Sequence, residues 1–162
     1  MANFTRRRYE SVGQFWKDLC GLLKLRKELR GILKGKTISD AFRERLILAV
    51  TAVNKCRYCA FVHTRAALAS GVPKEEMDGL FSGEFADAPE EERVALLYAQ
   101  HWAETRGCPD AETVMRLNET YPPEIVSAIN STLLFINLNN LFGNTVDWLL
   151  HTITFGALGG EK

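Results

Sequence analysis

Apolar residues recur three and four positions apart along almost the whole chain, and nowhere do they alternate in a run bounded by hairpin turns. A period of 3.6 with no period of 2 admits helices and leaves no sheet to organise the fold. The first stripes are Val12, Phe15, Trp16, Leu19, Leu22 and Leu23, then Leu25, Leu29, Ile32 and Leu33, then Phe42, Leu46, Ala49, Val50 and Val53. Later ones run through Val94, Leu97, Tyr98, His101 and Trp102, and through Ile125, Val126, Ile129, Leu133, Ile136 and Asn140. Between them stand the marks of helix ends: Ser11 and the Thr37 to Asp40 cluster as caps, Gly71 and Gly107 as stops, Pro123 as a start. Asp87 is the expected cap of the helix that opens with Pro89 and three glutamates. The expectation is an all-α, single-domain fold over residues 1–162 with about seven or eight helices. Bends are expected near Gly21 and Gly143, a loose basic stretch over residues 1–10, and a frayed glycine-bearing tail.

A chain of 162 residues with 46% hydrophobic content can bury a core without staples, so its four cysteines need not be a disulfide framework. Residues 1–16 contain no continuous apolar run of the secretory kind. The leucine-rich stretch 19–33 is broken by Lys24, Arg26, Lys27, Glu28 and Arg30, and residues 125–142 carry Asn130, Asn137, Asn139 and Asn140, so neither is expected to span a membrane. A reducing cytoplasm is the expected setting, where paired cysteines serve catalysis or metal binding more often than structure. The zero net charge gives no bulk electrostatic case for nucleic acid. Charge is unevenly spread: residues 1–36 hold ten cations against three anions, a net +7 that leaves −7 for the remainder. A basic N-terminal helical segment lying over an acidic body accounts for this more simply than a patch for an anionic partner.

What folding alone does not explain is the stretch Val53 to His63, with Cys56 and Cys59 three apart and His63 four further on. At 100° per residue, a helix places Cys59 about 60° and His63 about 20° from Cys56, so all three share one side. As a redox dithiol, the pair would gain from a helix N-terminus, whose unsatisfied amides stabilise a thiolate. His63 would manage the proton, and the second cysteine would trap a sulfenic acid as a disulfide. As a metal site, Cys56, Cys59 and His63 supply three ligands, and only His101, Cys108, Glu44 or His151 could add a fourth through tertiary contact. A third possibility is two small packed cysteines and a core histidine. Ala60 stands where a c-type haem attachment needs histidine, which excludes that motif. Cys20 and Cys108 are expected to be packed thiols, and His101 a core or interface histidine. The asparagines at 137, 139, 140 and 144 fit buried polar groups at a helix crossing as well as they fit capping near Gly143.

Glu44 lies twelve positions before Cys56 on the preceding helix, where packing of the two helices would bring it to the same pocket. Glu44, Cys56-x-x-Cys59 and His63 together resemble the Glu…Cys-x-x-Cys-x-x-x-His signature of alkylhydroperoxidase D-like proteins, in the carboxymuconolactone decarboxylase superfamily. The alanine-rich run to Gly71, the restart at Pro73 to Glu76, the segment Arg93 to Ala99 and the asparagine-bearing final helix are similar too, over roughly residues 37–150.

The resemblance implies a helical antioxidant enzyme, a homo-oligomer of three or six subunits, acting on a peroxide with an external thiol or protein reductant. No cofactor, metal, nucleic acid or membrane is expected. By the same resemblance Cys59 is the reactive thiol, Cys56 its resolving partner, and His63 with Glu44 the proton relay. Tyr58 stands where the best-known members have histidine; a phenol can donate a hydrogen bond but is a poor base near neutral pH. The alternatives are a non-catalytic metal-binding or assembly module, and a decarboxylase-like enzyme in which the cysteines are incidental.

Overall fold

The computed structural model describes residues 4–32 and 34–159; Leu33 and the three residues at each terminus are outside that range. Among the described residues there are eight helices and no strand: α1 (Val12–Lys24), α2 (Arg26–Ile32), α3 (Asp40–Asn54), α4 (Arg57–Ala69), α5 (Glu76–Ser82), α6 (Glu90–Glu104), α7 (Ala111–Thr120) and α8 (Pro123–Ile153). The fold is all-α and forms a single domain, as the periodicity requires.

α3 is the centre, packing against α4, α5, α6 and α8. From Glu44 to Thr51 every residue is buried, with Leu46, Leu48 and Val50 fully so. A helix enclosed on all sides cannot keep its charges solvated, and both are paired. Arg45 donates two hydrogen bonds to Glu76 of α5, at 2.7 and 3.0 Å, and one to Glu92 of α6 at 3.1 Å. Burial raises the Glu92 pKa, opposed by the neighbouring Arg45. Ser39 caps α3 by accepting the Phe42 amide, and Lys55 ends it in the left-handed conformation, φ 57°.

Several expected boundaries shift. The break in the first long stripe falls at Leu25, not near Gly21, because α1 closes there with the Leu25 amide on the Leu22 carbonyl. α6 is preceded by Pro89, and Asp87 does not cap it. Gly143 does not interrupt the last helix: α8 continues for 31 residues, glycine being tolerated where two elements approach closely. Of the stretch 1–10 expected to be loose, residues 1–3 lie outside the described residues and the rest is held in place. Residues 5–10 form a strap laid on α8, with Arg6 and Tyr9 buried. The Tyr9 amide donates to Thr145 at 3.0 Å, Asn144 donates to the Arg7 carbonyl at 2.7 Å, and Arg8 stacks 4.1 Å over Trp148.

α8 is long and apolar enough to cross a membrane by length and composition. Within the fold, however, it is a core helix, burying Ile129, Leu133, Ile136, Asn140, Asn144 and Asp147.

Candidate active site

Lys55 turns the chain between α3 and α4, and this turn delivers both cysteines to the start of α4. Cys56 is the N-cap, its sulfur accepting the Cys59 amide at 3.4 Å. Cys59 follows in the first turn, and the two sulfurs lie 2.8 Å apart as free thiols in hydrogen-bonding contact. Cys56 is fully buried and Cys59 is partly accessible. Against Cys56 stands Gly143 of α8, where a Cβ would come 3.4 Å from the sulfur. The glycine lets the long helix close over the thiol.

This geometry separates the two ionisations. The Cys56 thiol is pushed down to about 7 by the hydrogen bond from Cys59, against the opposing effect of burial, with help from the Cys59 and Tyr58 amides and the Arg6 charge. The Cys59 thiol is pushed up, because it donates to Cys56, is partly buried and would put a second negative charge beside the first; an Asn140 side-chain hydrogen bond works the other way. The pair therefore loses one proton near neutrality and holds the second, and both steps belong to the pair. The resemblance makes Cys59 the attacking thiol. The first charge forms on Cys56, whereas Cys59 is the sulfur a solute can reach.

Glu44 and His63 come together as expected, with His63 Nδ1 2.7 Å from Glu44 Oε2. Glu44 also accepts from Arg43 Nε and Nη2 at 3.2 and 3.0 Å, which fixes it as an acceptor. Nδ1 therefore carries the donated proton, and Nε2 is left as the basic nitrogen. His63 is one turn beyond Cys59, but its hydrogen bond goes to Glu44 and not to either sulfur. Tyr58 is not part of this relay. Half exposed, its hydroxyl accepts from Arg57 at 3.0 Å and lies 3.5 Å from Asp147.

Both cysteines open onto a cavity of about 320 Å³ whose other walls include Tyr58, Phe142, Val146 and Leu150. His63 and Glu44 do not line it. An open, mainly apolar groove beside a thiol pair suits a substrate with a hydrocarbon body.

Two further supports stand beside the pair, and only the first was not anticipated. Asp147, buried on α8, pairs with Arg6 at 2.5 Å and Arg57 at 2.9 Å. The signal was present in the sequence: one carboxylate inside the apolar run Val146 to Leu150. The second is the asparagine cluster, which lies at a helix crossing. Asn54 Nδ2 donates to Asn137 and Asn140 at 2.9 and 3.3 Å, and Asn144 donates to the Asn54 carbonyl at 2.8 Å. These bonds tie the last turn of α3 to α8 directly below the cysteines.

Other expectations fall away. Cys20 and Cys108 are exposed rather than packed, Cys20 on the outer side of α1 and Cys108 in the loop after Gly107. Of the two settings expected for His101, the core is not the one found: it is half-buried and pairs with Asp110, the N-cap of α7, at 2.7 Å. Among the described residues no three His, Cys, Asp or Glu side chains gather as a metal site would require.

The model of the carboxymuconolactone decarboxylase family matches residues 21–101, from within α1 to the last turn of α6. The chain belongs to that family, and the matched span holds Glu44, Cys56, Cys59 and His63. Comparison with curated proteins and with solved structures gives no match.

Proposed function

We propose that this family member is a thiol-dependent peroxidase or disulfide oxidoreductase of the alkylhydroperoxidase D type, working in a reducing, cytoplasmic setting. The observation that carries the proposal is the 2.8 Å sulfur–sulfur contact at the start of α4, with a carboxylate-held histidine one turn away. Passing the shared proton to Cys56 makes the accessible Cys59 the thiolate. Its sulfur attacks a peroxide oxygen, the O–O bond breaks, and the departing alkoxide takes a proton to leave as alcohol. Cys56 then attacks the Cys59 sulfenic acid, the S–S bond forms and the oxygen leaves as water. The dithiol loses two electrons and the peroxide gains two. An external dithiol or protein reductant returns two electrons and two protons by exchange. His63, through Nε2 and a bridging water, would supply and collect the protons.

Stoichiometric peroxide should consume two thiols per chain and yield a Cys56–Cys59 disulfide by mass spectrometry. Cys59→Ser should abolish turnover; unchanged peroxide consumption in that variant would overturn the assignment.

A further inference from the structure

The cysteine pair borders a charged cluster assembled from three separate parts of the chain. Arg6 comes from the N-terminal strap, Arg57 from the first position of α4, and Asp147 from α8. Arg6 and Asp147 both lie outside residues 21–101, the span matched by the family model. Asp147 lines the cavity onto which both sulfurs open, and its side chain is fully buried. Arg6 is buried against it, held by a strap whose backbone is fixed to Thr145 and Asn144. Asn144 also holds the Asn54 carbonyl, two residues before Cys56, so strap and cysteine turn share one anchor.

We propose that Arg6 is a positioning residue for the Cys56/Cys59 pair, its guanidinium being placed by Asp147 so that the reduced pair rests with one negative charge on sulfur. The charge balance gives the reason. In the described ion pairs two guanidiniums meet one carboxylate, an excess of one positive charge that a single thiolate neutralises. Without Arg6, Arg57 and Asp147 already cancel, and a thiolate becomes an uncompensated charge in a partly buried site. Among the described residues, the other charged or titratable groups facing the pair include Tyr58 on the cavity wall, exposed Lys55 in the turn, and His63 with Glu44 and Arg43 toward α3. The lowered Cys56 thiol agrees in sign, the Arg6 charge favouring its ionised form. Arg57 remains bonded to Asp147 when Arg6 is replaced, so the carboxylate is not stranded.

The test is the pH dependence of iodoacetamide alkylation of the reduced full-length protein, followed at the Cys56/Cys59 peptide by mass spectrometry so that the exposed Cys20 and Cys108 are read apart from it. It needs no peroxide, so it can succeed where the peroxidase proposal fails, and the reverse. Wild type should show a midpoint near 7. Arg6→Gln should raise it by up to about one pH unit, slowing alkylation several-fold at pH 6. Arg6→Lys should restore the low midpoint, and Asp147→Asn should move it down, because both guanidiniums then act on sulfur unopposed. A purely structural role would move the Gln and Asn variants in one direction, and that result, or an unmoved midpoint in Arg6→Gln, or a Lys variant that behaves like Gln, overturns the proposal. If Arg6→Gln does not fold, Arg6→Met, which keeps the buried stem without the charge, decides in its place: a raised midpoint supports the role of Arg6, and an unchanged or lower one overturns it.

Discussion

Two sulfurs at hydrogen-bonding distance hold one proton between them, and the sharing has a measurable sign. The lowered Cys56 value means that the fold favours its thiolate, so this group adds stability above the pKa of an unfolded thiol and loses it as pH falls through about 7. The raised Cys59 value runs the other way and removes stability at pH above the unfolded value. The stability of the reduced protein should therefore rise between about pH 7 and 8.5 and decline beyond it. Cys59→Ala removes the principal cause of the Cys56 shift; its remaining thiol should titrate well above 7, as the thiolate absorbance near 240 nm would show (about 8.5 is the free value), and a midpoint still at 7 would mean that the helix amides and Arg6 suffice. Glu44→Gln leaves His63 a partner that accepts more weakly. Peroxide turnover should drop about tenfold, and His63→Ala should lower it by about a hundredfold. Equal turnover in wild type and both variants would remove the relay from the mechanism. The spacing of Glu44, Cys56, Cys59 and His63 was legible because helical periodicity converts sequence offsets into faces. Arg6 was not, because nothing local tells a strap arginine that its carboxylate lies 141 positions away on α8.

The elements meet at the crossing of α3 and α8, where apolar stripes give way to asparagine. Asn140 is fully buried, accepting from Asn54 and donating to Thr51 at 3.3 Å. Asn140→Ala leaves the Thr51 hydroxyl without that donor and removes one acceptor from Asn54, while Asn137 keeps the other. The cost should be about 1–3 kcal/mol, measurable as a lower urea midpoint with an unchanged m-value. The same substitution takes a hydrogen bond from Cys59 and should raise that thiol further. A variant as stable as wild type would show that the cluster carries no net stabilisation. Helix existence, type and order were readable from stripes and caps. The joint between helices was less so, since an asparagine on a stripe fits a crossing or a cap equally until the partner helix is placed. Gly143 illustrates the limit: a helix-breaker by propensity, it sits unbroken in α8 because a sulfur from another element packs on it.

At the scale of the molecule, α8 has more apolar surface than one core can use. Its C-terminal half presents a second stripe, Phe142, Val146, Leu149, Leu150 and Ile153, each 36% exposed or more. Their spacing puts them on one helix face, roughly 140° around the helix from the buried stripe that includes Asn140, Asn144 and Asp147. A patch of this kind marks an interface more often than a solvated surface. We propose that a second copy of the chain covers it, in keeping with the oligomer that the family resemblance implies. Phe142, Val146 and Leu150 also wall the cysteine cavity, so the same contact would enclose the site. Sedimentation at micromolar concentration should give an oligomer, and Ile153→Glu, distant from the cavity wall, should dissociate it while leaving helicity and the thiol titration intact. A wild-type monomer would refute the interface. Flotation of the wild type with neutral lipid vesicles would instead assign the stripe to a bilayer, the occupant that the length and hydropathy of α8 would also fit.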